Sequence, residues 1–106
     1  MSKTARMLVQ TVDGAVDAQA LGRTQMHEHL LLDIYPTRWS FEHILDDVDV
    51  AIAELAGFRA AGGGCIVEVT PRGAGRNPAG LRRISQASGV HIVMGTSLLW
   101  GTPKID

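Results

Sequence analysis

Apolar and polar positions along the first third of the chain predict a β-hairpin followed by a strand. Met7–Val12 and Ala15–Val16 are short apolar segments around Asp13-Gly14, a pair that is typical of tight hairpin turns. Residues 1–20 are therefore predicted to form an N-terminal hairpin. Residues 22–32 fit either a strand or the start of a helix by pattern alone, and we favour a strand. Tyr35-Pro36 opens an aromatic stretch without regular period, which predicts a long loop.

Two segments carry apolar residues at helical spacing. The first begins after Asp46 and is expected to end at Gly62–Gly64, with an inner stripe of Val48, Ile52, Leu55 and either Phe58 or Arg59. The second begins with Asn77 as N-cap and Pro78 in its first turn. It is expected to end at Gly89, with an inner stripe of Leu81, Ile84 and Ala87.

Cys65–Thr70 and Val90–Met94 are rich in β-branched residues, as parallel strands covered on both faces usually are. The predicted order is hairpin, β, long loop, α, β, α, β, so the fold class is α/β with a parallel sheet. In a (β/α)₈ barrel each unit takes about 30 residues, and residues 22–106 would supply a little under three of the eight. A complete βαβαβ half of a doubly wound sheet fits the same pattern.

Composition narrows the class of protein. The 106 residues are 45% hydrophobic and 20% charged, as in an ordinary soluble domain. A formal net charge of -1 lacks the basic excess that nucleic-acid binding requires. We find no apolar run long enough for a membrane span and no convincing signal peptide. The single cysteine, Cys65, lies in an apolar run and is expected to be buried, in keeping with a reducing, cytoplasmic location.

The motif His27-Glu28-His29 is the sharpest candidate for chemistry. Residues i and i+2 of a strand face the same side, so His27 and His29 can bind one metal ion. A structural histidine pair explains the same spacing, and a catalytic zinc site needs at least one more protein ligand. His43 and His91 are not assigned as ligands.

Other candidates lie in loops. The loop Gly73–Arg76 leads into the second helix, where backbone amides can cradle an anion, although a turn that needs glycine for its backbone angles is the simpler interpretation. Arg76 could also lock this loop by pairing with a carboxylate. Trp39 and Trp100 follow strands and could wall an apolar substrate pocket, as could Tyr35, with plain packing as the alternative.

Three segments together resemble the N-terminal third of the phosphotriesterase family, in the amidohydrolase superfamily. They are Leu21–Leu30, Ala60–Pro71 with Gly73–Arg76, and Ile84–Thr96. The resemblance implies a (β/α)₈ barrel in which the first-strand H-x-H, here His27 and His29, binds one of two metal ions.

The resemblance also implies the chemistry. A binuclear centre, usually zinc, would activate a bridging hydroxide to attack a phosphotriester, lactone or related ester. The family's other ligands, a lysine, two histidines and an aspartate, come from later strands. Glu68 and Asn77 stand where the family often has aspartate, and Leu99 where lactonase-type members tend to have tyrosine.

We therefore interpret residues 1–106 as part of a metal-dependent hydrolase domain, with the hairpin at 1–20 and three barrel strands and two helices at 21–106. The expected partners are a zinc ion and a small-molecule ester substrate, with no nucleic acid and no membrane, and with a possible homodimer of the full-length protein. The chain alone is expected to be marginally stable and inactive, because it holds only part of the metal site. Two alternatives stay open, a phosphate- or nucleotide-binding module that uses the Gly73–Arg76 loop and a noncatalytic association domain.

Overall fold

The computed structural model describes residues 6–33 and 44–96, and its elements follow the predicted order of hairpin, strands and helices. The elements are β1 Leu8–Thr11, β2 Gly14–Asp17, a 3-10 helix Ala18–Ala20, β3 Arg23–Glu28, β4 Leu32–Asp33, β5 Ile44–Leu45, α1 Val48–Ala60, β6 Gly63–Glu68, α2 Pro78–Ser88 and β7 His91–Met94. In the described part of the chain, no helix is both long and apolar enough to cross a membrane.

The predicted N-terminal hairpin is confirmed. β1 and β2 pair antiparallel, with Thr11 opposite Gly14, whose φ of +110° suits glycine. The turn is tied to α2, because Asp13 Oδ1 accepts hydrogen bonds from Gln86 Nε2 at 2.9 Å and from Arg82 Nε at 3.2 Å. The Val12 amide donates to a carbonyl of β7 at 2.9 Å. The hairpin therefore lies against the last helix and strand of the described chain.

The central sheet is parallel, as predicted, with the order β3-β6-β7. Ile66 of β6 lies opposite Ile92 of β7, and the register between β3 and β6 is interrupted between Gln25 and Glu28. Beyond that interruption the Val69 amide donates to the Glu28 carbonyl at 3.0 Å. Because the strands are parallel, their carboxyl ends meet at one edge of the sheet.

The first predicted helix is confirmed as α1. Asp47 is its N-cap, and Oδ1 accepts the amides of Asp49 at 3.0 Å and Val50 at 3.1 Å. Ala51 and Leu55 are buried in it. The predicted stripe residues Val48, Ile52 and Phe58 are partly buried against the core, whereas Arg59 is exposed.

The predicted stop at Gly62–Gly64 needs a correction, because Gly63 and Gly64 already belong to β6. Only Gly62, with φ of +102°, has the backbone that ends the helix. Glycine is required at positions 63 and 64 because neighbouring atoms leave no space for a Cβ. A Cβ on Gly64 would lie 2.3 Å from the Leu21 carbonyl oxygen, and one on Gly63 would lie 2.3 Å from the Phe58 ring.

The second predicted helix is confirmed as α2, with one residue of its inner stripe wrong. Asn77 Oδ1 caps it by accepting the Gly80 amide at 2.9 Å, and Gly89 ends it with φ of +75°. Ala87 is exposed, because it lies about 120° around the helix from Leu81. Ser85 is buried in its place and donates its hydroxyl to the Val90 carbonyl at 2.7 Å.

The core lies between the sheet and the two helices, and its buried members belong to α1, α2, β6 and β7 and to the segments that precede β4 and β7. They are Leu31, Ala51, Leu55, Ile66, Leu81, Ile84, Val90 and Ile92. Cys65 is fully buried and forms no disulfide, as predicted.

A short antiparallel ladder between β4 and β5 was not predicted. Leu32 lies opposite Leu45, and Asp33 opposite Ile44. A pairing of two residues on each strand is too short to show the alternation that identifies a strand in a sequence. The predicted long loop that starts at Tyr35-Pro36 lies outside the described residues.

Candidate metal site

The two histidines of the H-x-H motif lie together at the carboxyl end of β3. His27 belongs to the strand and is exposed, while His29 follows it and is half-buried. Their ring centroids are 5.4 Å apart, with the rings inclined at 78° in an edge-to-face arrangement. The local sequence thus brings both imidazoles to the edge where the parallel strands end.

This spacing suits two ligands of one metal ion. Two imidazoles on a tetrahedral ion have ring centres about 5 Å apart, since each nitrogen lies about 2 Å from the ion. Within residues 6–33 and 44–96, however, no group of three or more His, Cys, Asp or Glu side chains is placed to hold a metal. The pair therefore fits two positions of a coordination sphere, and the assignment of His27 and His29 as ligands stays a prediction.

The backbone beside the histidines is held by two carboxylates. Glu28 Oε1 accepts the His29 amide at 2.9 Å. Glu68 Oε2, from the end of β6, accepts the amide of Leu30 at 2.9 Å and that of Leu31 at 3.2 Å. These contacts fix the path of the chain as it leaves β3.

Thr70 connects this network to one of the imidazoles. His29 Nδ1 lies 2.8 Å from Thr70 Oγ1, and the Thr70 amide donates to Glu68 Oε1 at 2.7 Å. Glu68 has no exposed surface and Thr70 is 1% exposed, so water does not compete for these hydrogen bonds. Thr70, itself held by Glu68, thus contacts the half-buried imidazole of His29.

Sequence reasoning did not assign Glu68 or Thr70 to the site. The available signal was a glutamate inside the apolar run Cys65–Val69, because a buried carboxylate must be paired or hydrogen-bonded. That rule predicts that Glu68 has partners. It does not say which, since the Leu30 and Leu31 amides lie 38 and 37 positions earlier in the chain.

The glycine-rich loop Gly73–Arg76 is held by contacts within the protein. Gly73 and Gly75 have φ of +96° and +86°, which agrees with a turn that needs glycine. Arg76 Nη1 donates to the Gly95 carbonyl at 2.9 Å, so within residues 6–33 and 44–96 this arginine locks the loop through a backbone carbonyl, and the suggested carboxylate partner is not found there. The Ala74 amide donates to the Pro71 carbonyl at 3.1 Å. These contacts favour the structural interpretation of the loop.

A groove with a volume of about 680 Å³ lies between β3 and α1. Its volume lies within the range of small-molecule sites. His29 lines the groove and His27 does not. Apart from Gln25, the other lining residues are apolar or acidic: Leu30, Leu45, Val50, Ala51, Leu55, Phe58, Ile66, Glu28, Asp46, Asp47 and Glu54. The predicted pocket residues Trp39 and Trp100 lie outside the described residues, as do Tyr35 and His43.

Burial also affects the acidity of the single cysteine, Cys65. Burial raises the pKa of the Cys65 thiol above its ordinary value, and a hydrogen bond with the Thr24 side chain opposes that shift in part. A thiol with a raised pKa is a poor nucleophile and a poor metal ligand at neutral pH. Cys65 therefore acts as a core residue.

Comparison with known proteins identifies the family of this chain. N-acetyltaurine hydrolase from Danio rerio is 31% identical over 117 residues, which cover 82% of this chain and 34% of that protein. Residues 7–102 match the Phosphotriesterase family. The chain belongs to the phosphotriesterase family.

Solved structures agree with this placement. A lactonase from Listeria monocytogenes superposes with a TM-score of 0.76 at 28% identity, covering 83% of this chain and 27% of that chain. Organophosphorus hydrolase from Deinococcus radiodurans superposes with a TM-score of 0.71 at 36% identity, covering 90% of this chain and 30% of that one. The chain spans about a third of the length of the curated relatives it matches.

Proposed function

We propose that this chain supplies the first three strands of a (β/α)₈ barrel in a zinc-dependent hydrolase of small-molecule esters, including phosphotriesters and lactones. His27 and His29 hold one of two divalent metal ions. The observation that carries this proposal is the imidazole pair, with ring centroids 5.4 Å apart at the carboxyl edge of the parallel sheet. Active sites of (β/α)₈ barrels lie at this edge.

The residues of the chain have distinct tasks in this proposal. His27 and His29 bind the metal through ring nitrogens, and the Glu28 carboxylate holds the His29 amide at 2.9 Å. A zinc ion held by these two histidines would supply a Lewis acid for the ester oxygen and for a water molecule. Among the described residues, Thr70 holds the His29 imidazole at 2.8 Å, and further ligands are required to complete the centre.

The relatives support hydrolysis but differ in substrate. Their names refer to N-acetyltaurine, lactones and organophosphorus compounds. In this architecture substrate choice lies largely in loops at the carboxyl ends of the strands. We propose an ester substrate, a cytoplasmic location, and a homodimer for the full-length protein.

Metal binding by the chain tests the proposal. Competition with a chromophoric chelator measures Zn²⁺ affinity, and Co²⁺ reports ligand type through its visible spectrum. We expect His27→Ala and His29→Ala each to weaken binding at least about 10-fold. His91→Ala is the matched control, because it removes a histidine on β7 that does not belong to the pair.

The outcomes separate the candidate functions. Equal Zn²⁺ affinity in wild type, His27→Ala and His29→Ala would overturn the metal assignment. Nucleotide binding that Arg76→Ala abolishes would favour the phosphate-binding alternative, and self-association without zinc or nucleotide would favour the association domain.

Catalysis by the chain is a second measurement. We expect no metal-dependent turnover of an aryl phosphotriester or a lactone by the chain alone, because a catalytic zinc usually has three protein ligands and the described part brings two together. Turnover that requires zinc and is lost in His29→Ala would contradict this expectation of inactivity while supporting the hydrolase assignment.

A further inference from the structure

Thr70 Oγ1 has three polar neighbours in a site that water does not reach. His29 Nδ1 lies at 2.8 Å, the Leu31 carbonyl oxygen at 3.0 Å and Glu68 Oε2 at 3.0 Å. Thr70 is 1% exposed, and in the part of the chain that the structure describes these three groups are the partners of its hydroxyl. The hydroxyl therefore has to satisfy all three with one proton and its lone pairs.

The number of available protons determines how these hydrogen bonds are shared. A carbonyl and a carboxylate only accept hydrogen bonds, and Glu68 already accepts the amides of Leu30, Leu31 and Thr70. If His29 Nδ1 lacked a proton, three acceptors would compete for one hydroxyl proton. If Nδ1 carries the proton, it donates to Oγ1, and the hydroxyl donates to the carbonyl or the carboxylate. Only the second arrangement gives every group a partner.

We propose that Thr70 is a positioning residue that selects the tautomer of His29 with the proton on Nδ1, and so leaves the Nε2 lone pair available to a metal ion. The metal in this inference rests on the proposed function, and the tautomer rests on the hydrogen bonds of Thr70. Metal-binding histidines generally donate their second ring N–H to a neighbouring acceptor, which fixes the ring orientation. Glu68 supports this task by holding the Thr70 amide at 2.7 Å.

The tautomer can be read directly. Long-range ¹H–¹⁵N correlation spectra of the ¹⁵N-labelled chain, recorded at about pH 8 where an ordinary histidine is neutral, distinguish the two forms of each imidazole. We expect the Nδ1–H form for His29 in wild type and in Thr70→Ser, which keeps the hydroxyl. In Thr70→Val, which has nearly the same shape without the hydroxyl, we expect a mixture or the Nε2–H form.

Zn²⁺ affinity is the second readout. We expect Thr70→Val to bind Zn²⁺ about 10- to 100-fold more weakly than wild type, and Thr70→Ser to restore most of that loss. Ser85→Ala is the matched control, because it also removes a buried side-chain hydrogen bond, to the Val90 carbonyl, without touching His29. Its affinity and its His29 spectrum should equal those of wild type.

The results that overturn the proposal differ from those that overturn the proposed function. An Nε2–H tautomer of His29 in wild type refutes the positioning role even if Thr70→Val does not fold. An unchanged tautomer and affinity in folded Thr70→Val refutes it as well. If His29 has the Nδ1–H form in wild type and loses it in Thr70→Val, the positioning role stands, and absence of Zn²⁺ binding in every variant then refutes the metal site alone.

Discussion

Glu68 Oε2 accepts the Leu30 amide at 2.9 Å, across 38 positions of sequence. The contact joins the end of β6 to the segment that follows β3, and Glu68 has no exposed surface. The same carboxylate accepts the amides of Leu31 and Thr70. One buried carboxylate thus holds the backbone that follows β3 and the backbone that follows β6, at the sheet edge that carries His29.

We expect Glu68→Gln to destabilise the chain by about 1–3 kcal/mol, because the amide group would turn donors toward backbone N–H groups and leave buried polar atoms unpaired. Urea unfolding followed by circular dichroism measures the change. Glu54→Gln, an exposed change on α1, is the control and should leave the midpoint where it is. Equal midpoints for both variants would contradict the role given to the Glu68 carboxylate.

The glycines at the start of β6 lead to a second prediction. An alanine at position 63 would place its Cβ 2.3 Å from the Phe58 ring. Replacing Phe58 with a smaller residue would relieve this contact. We expect Gly63→Ala to lower the free energy of unfolding by about 1–3 kcal/mol, and Phe58→Leu in the same chain to recover part of that loss. Chemical denaturation of the two single variants and the double variant gives the coupling energy.

Gly64→Ala is the comparison for that experiment. Its Cβ would lie 2.3 Å from the Leu21 carbonyl oxygen, a backbone atom that no side-chain replacement removes. We expect Gly64→Ala to cost at least as much as Gly63→Ala and to gain nothing from Phe58→Leu. Equal recovery of both variants would show that the Phe58 ring is not the obstacle.

The buried thiol predicts a dependence of stability on pH. Burial raises the pKa of Cys65 in the folded chain, so the unfolded chain loses this proton first as pH rises. The stabilisation linked to the neutral thiol is complete below the unfolded pKa, about 8.5, and is lost as pH rises through the folded value. Unfolding free energies measured from about pH 7 to about pH 10 should therefore fall more steeply in wild type than in Cys65→Ala. Parallel curves would show that the thiol makes no such contribution.

The core between sheet and helices gives a fourth prediction. Ile84 has no exposed surface, and we expect Ile84→Ala to destabilise the chain by about 2–5 kcal/mol, because it removes buried methyl groups and leaves a cavity. Val50→Ala, at a side chain that is 56% exposed, should change stability far less. Thermal unfolding of both variants tests the placement of the core.

Local physics determined most of the secondary structure from the sequence alone. Asp13-Gly14 marked the hairpin, Asn77-Pro78 and Gly89 marked the ends of α2, and the β-branched run after Cys65 marked the central strand. These signals succeed because turns, caps and strand preference depend on a few adjacent residues. The same locality explains why the H-x-H motif identified the pair that lies together at the end of β3.

Tertiary structure alone decided which groups surround that pair. The contacts of His29 with Thr70, and of Leu30 and Leu31 with Glu68, join segments 37 to 41 positions apart. The two-residue ladder of β4 with β5 likewise joins separate segments, since Leu32 pairs with Leu45. A sequence pattern records which residues can be buried or paired, but the partner of a buried polar group is decided only when the strands pack side by side.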